Sequence, residues 1–493
     1  MSASQKVLKS AALLLSIQLI QRGLGIISTM ILARLLTPEH FGIVALIVIA
    51  MQFFEMLVET GTQQYIVQKQ QLTDADLNTA WSMDLLTKSV MAALIIVLSP
   101  AIAGYFSAPE LILPLCASAL TLPIRAGKSP GLMVLAKEIN YQPMFRLTLW
   151  QKAISFLTVI SVAFIYPSHW AIITGNLVSA AVLTIGSYQI HSYRPNWTLV
   201  HLKQQWSFSQ WLILRGIVGF FRSQIDNLMV SKLFGTERLG GYNLVREVGL
   251  LPAVTLIIPM QQPLLAALAE RREHAATLAY RTRMSLWLTI SLITPITAFI
   301  MAYPELIVAV LLGLDWQDYA HLMRPFGLSF FCFCLFALLC DAMIAQGKVK
   351  LLFWLDLVST VVIFAALLHW GSDNITNMAW ARGWLAIATV VCYLLILDYQ
   401  VGYGLIRLCW LSFPSLLGSV LALWAAEKVF SSASIDGNMV TLILHLLGCG
   451  TFYVIIAGIT MLALTVALQR NTEEWSQMVA LVSQLRKKTQ HAP

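Results

Sequence analysis

Apolar runs recur along almost the whole chain, broken at intervals by Gly, Pro or a cluster of charges. Runs of roughly 20–28 residues are long enough to cross a hydrocarbon layer of ~30 Å as helices rising about 1.5 Å per residue. Their number, about fourteen, predicts an all-α polytopic membrane protein. The first run covers Ser10–Ala33 and the last covers Met439–Leu468. Trp211–Leu244 is the expected seventh span and Tyr242–Leu268 the eighth, the latter bent around Gly249, Pro252 and Pro259.

Polar positions inside these runs are not scattered. Arg215, Gly219, Arg222 and Asp226 follow the i, i+4, i+7, i+11 pattern of one helical face. Gln18, Arg22, Gly25 and Thr29 repeat that pattern in the first span, and Gln52, Glu55, Glu59 and Gln63 form a stripe in the second. The eighth contributes Asn243, Arg246 and Glu247. A charge at membrane depth costs at least ~2.5–3.5 kcal/mol, so such residues face protein or a water-filled cavity. The four-residue spacing also allows a structural Arg222–Asp226 pair between helices, and Asp84–Lys88 in the third span reads as such a pair. Asp341, Asp356, Arg382 and Asp398 fall near expected span ends, where snorkelling accounts for them.

Composition sharpens the membrane reading. The 493 residues are 58% hydrophobic and 11% charged, against about 25% charged in an average soluble protein. The net charge of +8 sits mostly in short alternate loops, which speaks against nucleic acid as a partner. With the N-terminus inside, these loops carry Lys69, Arg125, Lys128, Lys152, Arg194, Arg281, Lys348 and Arg407 among others. The opposite loops hold Arg34, Lys232, Arg238 and Lys428. This asymmetry predicts cytoplasmic termini and an even span count. The seven Cys have no partner at zinc-ligand spacing and read as free buried thiols. No loop is large enough for a soluble catalytic domain, and no Walker-type phosphate loop occurs, so neither an enzyme nor a cofactor is expected.

The chain also repeats itself. ARLLTPEHFG at 33–42 aligns with SKLFGTERLG at 231–240, matching Leu35 with Leu233, Glu39 with Glu237 and Gly42 with Gly240. Each copy ends one span and starts the next on the outer side. An even number of spans between copies gives the halves one orientation, a recurring transporter design with substrate bound near the midplane. The repeat pairs the first and second spans with the seventh and eighth, so the polar faces fall on equivalent helices. A cavity bearing Arg22, Arg215, Arg222 and Arg246 suits an anionic, phosphate-bearing substrate. Glu55, Glu59, Asp226 and Glu247 either balance those charges or carry a coupling ion or proton.

At ARLLTPEHFG, followed by QIDNLMVSKLFGTERLGGYNL, the sequence resembles the polysaccharide transporter family of the multidrug/oligosaccharidyl-lipid/polysaccharide exporter superfamily, and within it the Wzx-type O-antigen and colanic-acid exporters. AERREHAATLAYRTRM and LGLDWQDYAHLMRPFGLSFF extend the likeness, which covers roughly residues 5–400. The resemblance implies two six-span lobes, 1–197 and 198–400, two further spans within 401–468, and a cytoplasmic tail at 469–493. It also implies alternating access, a bacterial inner-membrane location and an undecaprenyl-diphosphate-linked oligosaccharide as substrate. Membrane lipids, a polysaccharide polymerase and other assembly proteins are the implied partners. The alternatives are a cation-coupled drug antiporter of the same superfamily, whose cavity would be dominated by acids, and a membrane polymerase or ligase, which would need a large outer loop.

Overall fold

Inside hydrocarbon a backbone must satisfy its own N–H and C=O groups, which leaves helices or closed barrels. The computed structural model describes residues 3–58, 66, 72–138, 140–261, 275–430 and 438–476, with side chains placed from residue 16 onward outside 203–216, 275–276, 345 and 349. The described residues form helices and turns, with no strand among them. The helices are α1 (Ala3–Leu32), α2 (Pro38–Leu57), α3 (Asp74–Tyr105), α4 (Pro109–Ala126), α5 (Gln142–Ile165) and α6 (Trp170–Ile190). A continuous helical stretch, Leu202–Pro252, is broken at Gly235 into two arms, here α7 and α8. Then come α9 (Ala275–Ala302), α10 (Pro304–Leu311), α11 (Met323–Ala345), α12 (Val349–Trp370), α13 (Ile375–Val401), α14 (Leu405–Phe430) and α15 (Met439–Gln469).

Twelve helices among the described residues are long and apolar enough to span a membrane. The count differs from the expected fourteen in two places. The seventh and eighth expected spans lie in one apolar stretch, Ile217–Gln261, and α1 contributes a shorter apolar helix, Ser16–Leu32. The break between the seventh and eighth lies at Gly235, inside the 231–240 repeat copy expected to end one span and start the next, rather than at the Tyr242–Leu244 overlap of the two apolar runs. Gly235 has φ 87° and ψ 175°, a region essentially closed to any residue with a Cβ. The expected bend in the eighth span is a π-helical turn, Ala253–Ile257, directly after Pro252. Outward side chains such as Val97 (74% exposed), Ile165 (85%) and Ile406 (88%) are apolar, as a lipid-covered surface requires.

The chain forms two compact units, Met1–Leu244 with Asp356–Met378, and Val245–Leu355 with Ala379–Pro493. In the first, α5 packs along α6 and α1, while α3 packs against α4. The two copies of the repeat meet here directly. A Cβ on Gly42 would lie 1.8 Å from the Thr236 carbonyl oxygen, and one on Gly240 would lie 1.8 Å from the Pro38 oxygen. The alignment pairs Pro38 with Thr236 and Gly42 with Gly240, so this contact maps onto itself when the copies are exchanged. In the second unit, α9 packs against α11 and α14, and α14 against α15. Small residues Ala422, Ala426, Cys449 and Ala457 let the last two helices approach closely. Just beyond α15, Glu474 is fully buried between Arg283 (2.8 Å) and Arg407 (2.9 Å).

No disulfide joins the seven cysteines, and not all are buried: Cys392 and Cys409 are exposed on α13 and α14. Their helices have lipid-facing sides, where a thiol is as well accommodated as in a core.

Candidate functional site

The turn after α4 is fixed by α6. Thr184, Ser187 and Tyr188 share one face of α6 at i, i+3, i+4 spacing. Thr184 donates to the Ile124 carbonyl (2.6 Å), Tyr188 donates to the Gly127 carbonyl (2.7 Å), and the Ser129 N–H donates to Ser187 Oγ (2.8 Å). Ser129 Oγ donates in turn to the Tyr193 carbonyl at 3.0 Å. A Cβ on Gly131 would lie 2.3 Å from His191 Nδ1, so only glycine lets the chain pass. Arg125, at the end of α4, and Lys128, in this turn, lie between backbone groups that those bonds fix.

These two cations face others. Burial, together with the charges of Lys88 and Arg125, pushes the Lys128 ammonium below its ordinary range, and Asp84 pulls it only partly back. Arg125 is also close enough to Lys152 of α5 for their charges to repel. Glu55 of α2 stands 4.0 Å from Arg125, with both side chains about two-fifths exposed. The Asp84–Lys88 pair forms as expected, at 2.9 Å. Thus Lys88, Arg125, Lys128 and Lys152 converge from α3, α4 and α5, with Asp84 and Glu55 as the acids beside them. Spacing alone assigns Arg125, Lys128 and Lys152 to cytoplasmic loops and Lys88 to a structural pair. The signal available in the sequence was the i, i+3 spacing of Arg125 and Lys128 beside a glycine-bounded turn.

The expected arginines are placed separately. Arg22 is half-buried on α1, on a face whose Gln18 and Gly25 are exposed, and α1 packs along the helix that carries Lys152. Arg222 donates to Asp356 Oδ1 of α12 at 3.0 Å, with both side chains a quarter exposed. Asp356 is therefore an interhelical partner rather than a snorkelling residue. Asp226 is fully buried and accepts from the Tyr242 hydroxyl at 3.1 Å. Arg246 is half-buried and Glu247 exposed, both in the second compact unit. Glu59 and the side chain of Arg215 lie outside the described residues.

The polar stripes of α2, α7 and α8 meet through amides rather than charges. Gln224 donates to Gln52 (2.9 Å), Asn227 to Gln224 (2.8 Å), and Asn227 also to Asn243 (3.1 Å). Each amide supplies both a donor and an acceptor, so a ladder of this kind ties helices together in hydrocarbon without leaving a net charge.

Residues 31–321 match the family described as polysaccharide biosynthesis protein. The chain is 22% identical over 372 residues to a succinoglycan biosynthesis transport protein, ExoT, of Rhizobium meliloti, covering 75% of each chain. It is 22% identical over 260 residues to the lipopolysaccharide biosynthesis protein WzxC of Escherichia coli, covering 52% of this chain and 53% of that one. Among solved structures it resembles the lipid II flippase MurJ in an inward closed conformation, with TM-score 0.72, 14% identity, and coverage of 92% of this chain and 99% of that one. An inward-facing multidrug-resistance MATE transporter gives TM-score 0.59 at 13% identity, covering 86% and 100%.

Proposed function

We propose that this chain, which belongs to the polysaccharide biosynthesis protein family, moves an oligosaccharide linked to a polyprenyl diphosphate from the inner to the outer leaflet of a bacterial inner membrane. It is a transporter, not an enzyme, and works by alternating access of two six-span repeats, 1–197 and 198–400. The relatives described as succinoglycan transport and lipopolysaccharide biosynthesis proteins support this substrate class. The asymmetry of loop cations supports cytoplasmic termini. A polysaccharide polymerase and other assembly proteins are the partners that would consume the product.

The single observation that carries the reading is the convergence of Lys88, Arg125, Lys128 and Lys152, with Asp84 and Glu55 as the acids beside them among the described residues. A diphosphate offers non-bridging oxygens on adjacent centres. One Arg fork with several point-charge lysines suits it. The lowered proton affinity of Lys128, due first to burial and then to its cationic neighbours, fits the same assignment, because an incoming anion offsets both. Of the arginines expected to meet substrate, Arg22 lies on the helix that packs along α5, while Arg222 is engaged by Asp356. Glu55, Glu59, Asp226 and Glu247 balance charge or couple an ion or proton. A cluster dominated by cations disfavours the cationic-drug antiporter.

The test is an export assay in cells lacking the gene and complemented with variants matched for membrane abundance. The double variant Arg125→Gln, Lys128→Gln should accumulate lipid-linked repeat units on the cytoplasmic face and lose most polymer export. Undiminished export would remove the cluster from the substrate path.

A further inference from the structure

A groove of about 590 Å³ runs along α7 and α12, away from the basic cluster of α3–α5. Phe221, Ile225 and Met229 form one wall, Val361 and Phe364 the other, and Lys232 beside Tyr105 closes one end. The α7 positions recur at helical spacing, so one continuous stripe lines the groove. From Ile217 to Leu233 that stripe is about 24 Å long. Val361 and Phe364 are 61% and 45% exposed, so the facing stripes are not closed against each other. The polar group in the α12 wall, the Thr360 hydroxyl, already donates to the Asp356 carbonyl at 2.7 Å. The walls therefore offer nothing to a sugar and everything to a hydrocarbon.

The closed end is different. Lys232 Nζ donates to the Tyr105 carbonyl at 2.7 Å and sits 4.5 Å from the centroid of the same ring. Carbonyl and ring orient the ammonium, and a primary ammonium keeps further N–H donors for an anion. This end lies on the same side as the turn between α1 and α2, because Thr236 meets Gly42 there, and the loop-charge asymmetry makes that the outer side.

We propose that the groove seats the isoprenoid tail of the polyprenyl carrier in the outer leaflet, with its phosphate on Lys232. This rests on the reading above and adds a tail site to it. Two features select the carrier over an ordinary phospholipid. The cation demands an anionic head. The stripe also runs well past the ~15 Å depth of one leaflet, half of the ~30 Å core, so an acyl chain leaves its inner part empty while a longer isoprenoid fills it.

The full-length protein in phosphatidylcholine nanodiscs is irradiated with a benzophenone-bearing polyprenyl phosphate, and cross-linked peptides are mapped. The account expects labels in α7 and α12. Val361→Trp, at an exposed position that leaves the core untouched, should abolish them. Lys232→Gln should weaken them about fivefold, the worth of one lysine at a membrane surface. Labels elsewhere, labels unaffected by Val361→Trp, or equal displacement by phosphatidylglycerol would each overturn the assignment. Transport of a lipid-linked oligosaccharide is measured with the same protein reconstituted in sealed phosphatidylcholine vesicles. Transport without groove labelling sinks the tail site alone, while groove labelling without transport sinks the flippase reading and leaves the site standing.

Discussion

At the residue scale, the chemistry turns on cations whose neighbours are mostly cations. Lys128 is the clearest case, half-buried and repelled by Lys88 and Arg125. Its proton is bound less tightly than an ordinary lysine's, and in the proposed site a bound polyanion would raise that affinity and take up a proton wherever Lys128 is partly deprotonated. Affinity for a polyprenyl diphosphate should therefore fall as pH rises through the lowered Lys128 range, and Lys128→Gln should remove that dependence; calorimetric titration at several pH values checks both. Glu474 shows the opposite sign. Burial raises its proton affinity, but its backbone bond, Arg407 and Arg283 outweigh burial and hold the carboxyl below its ordinary 4.5. Its contribution to stability is fully present above pH 4.5 and is lost as pH falls below that toward the lower folded value. Glu474→Gln, which leaves two arginines facing a neutral amide, should cost about 3 kcal/mol in detergent unfolding at neutral pH and flatten the acid limb of the stability profile.

At the element scale, glycines decide where helices turn and touch. Gly235 takes a conformation that a Cβ forbids, so Gly235→Ala should cost about 1–3 kcal/mol. Gly240→Ala or Gly42→Ala should push α2 and α8 apart at a similar cost from overpacking, read as a lower midpoint in thermal unfolding. The interhelical bond of Arg222 with Asp356 should show a coupling energy of about 1–3 kcal/mol in a double-mutant cycle with alanine at each position. Most spans were legible as apolar runs, since hydrocarbon imposes length and helix alike. The α7–α8 break was legible from the repeat, whose second copy at 231–240 holds Gly235, but not from the extent of the apolar runs, which overlap at Tyr242–Leu244. Asp356 looked like an interfacial residue because nothing local shows which helix it will face. The basic cluster was hidden for a related reason: loop lysines satisfy the positive-inside rule so well that their convergence in space leaves no further trace in spacing.

At the scale of the whole molecule, the repeat seen at 33–42 and 231–240 is physical as well as textual. Its glycines cross reciprocally, each against the carbonyl that the other's copy provides. Around that crossing an amide ladder joins α2, α7 and α8, and the unbalanced positive charge is kept apart on α3, α4 and α5. This division fits a carrier that must hold a charged head firmly yet leave helix contacts free of unpaired charge. The most direct test uses purified protein in vesicles carrying a fluorescent polyprenyl-diphosphate oligosaccharide, with leaflet exposure read by a membrane-impermeant quencher. Wild-type protein should expose the inner-leaflet label, and Arg125→Gln, Lys128→Gln, Lys152→Gln together should slow exposure at least tenfold with the fold intact by circular dichroism. Wild-type exposure rates in that triple variant would contradict the account.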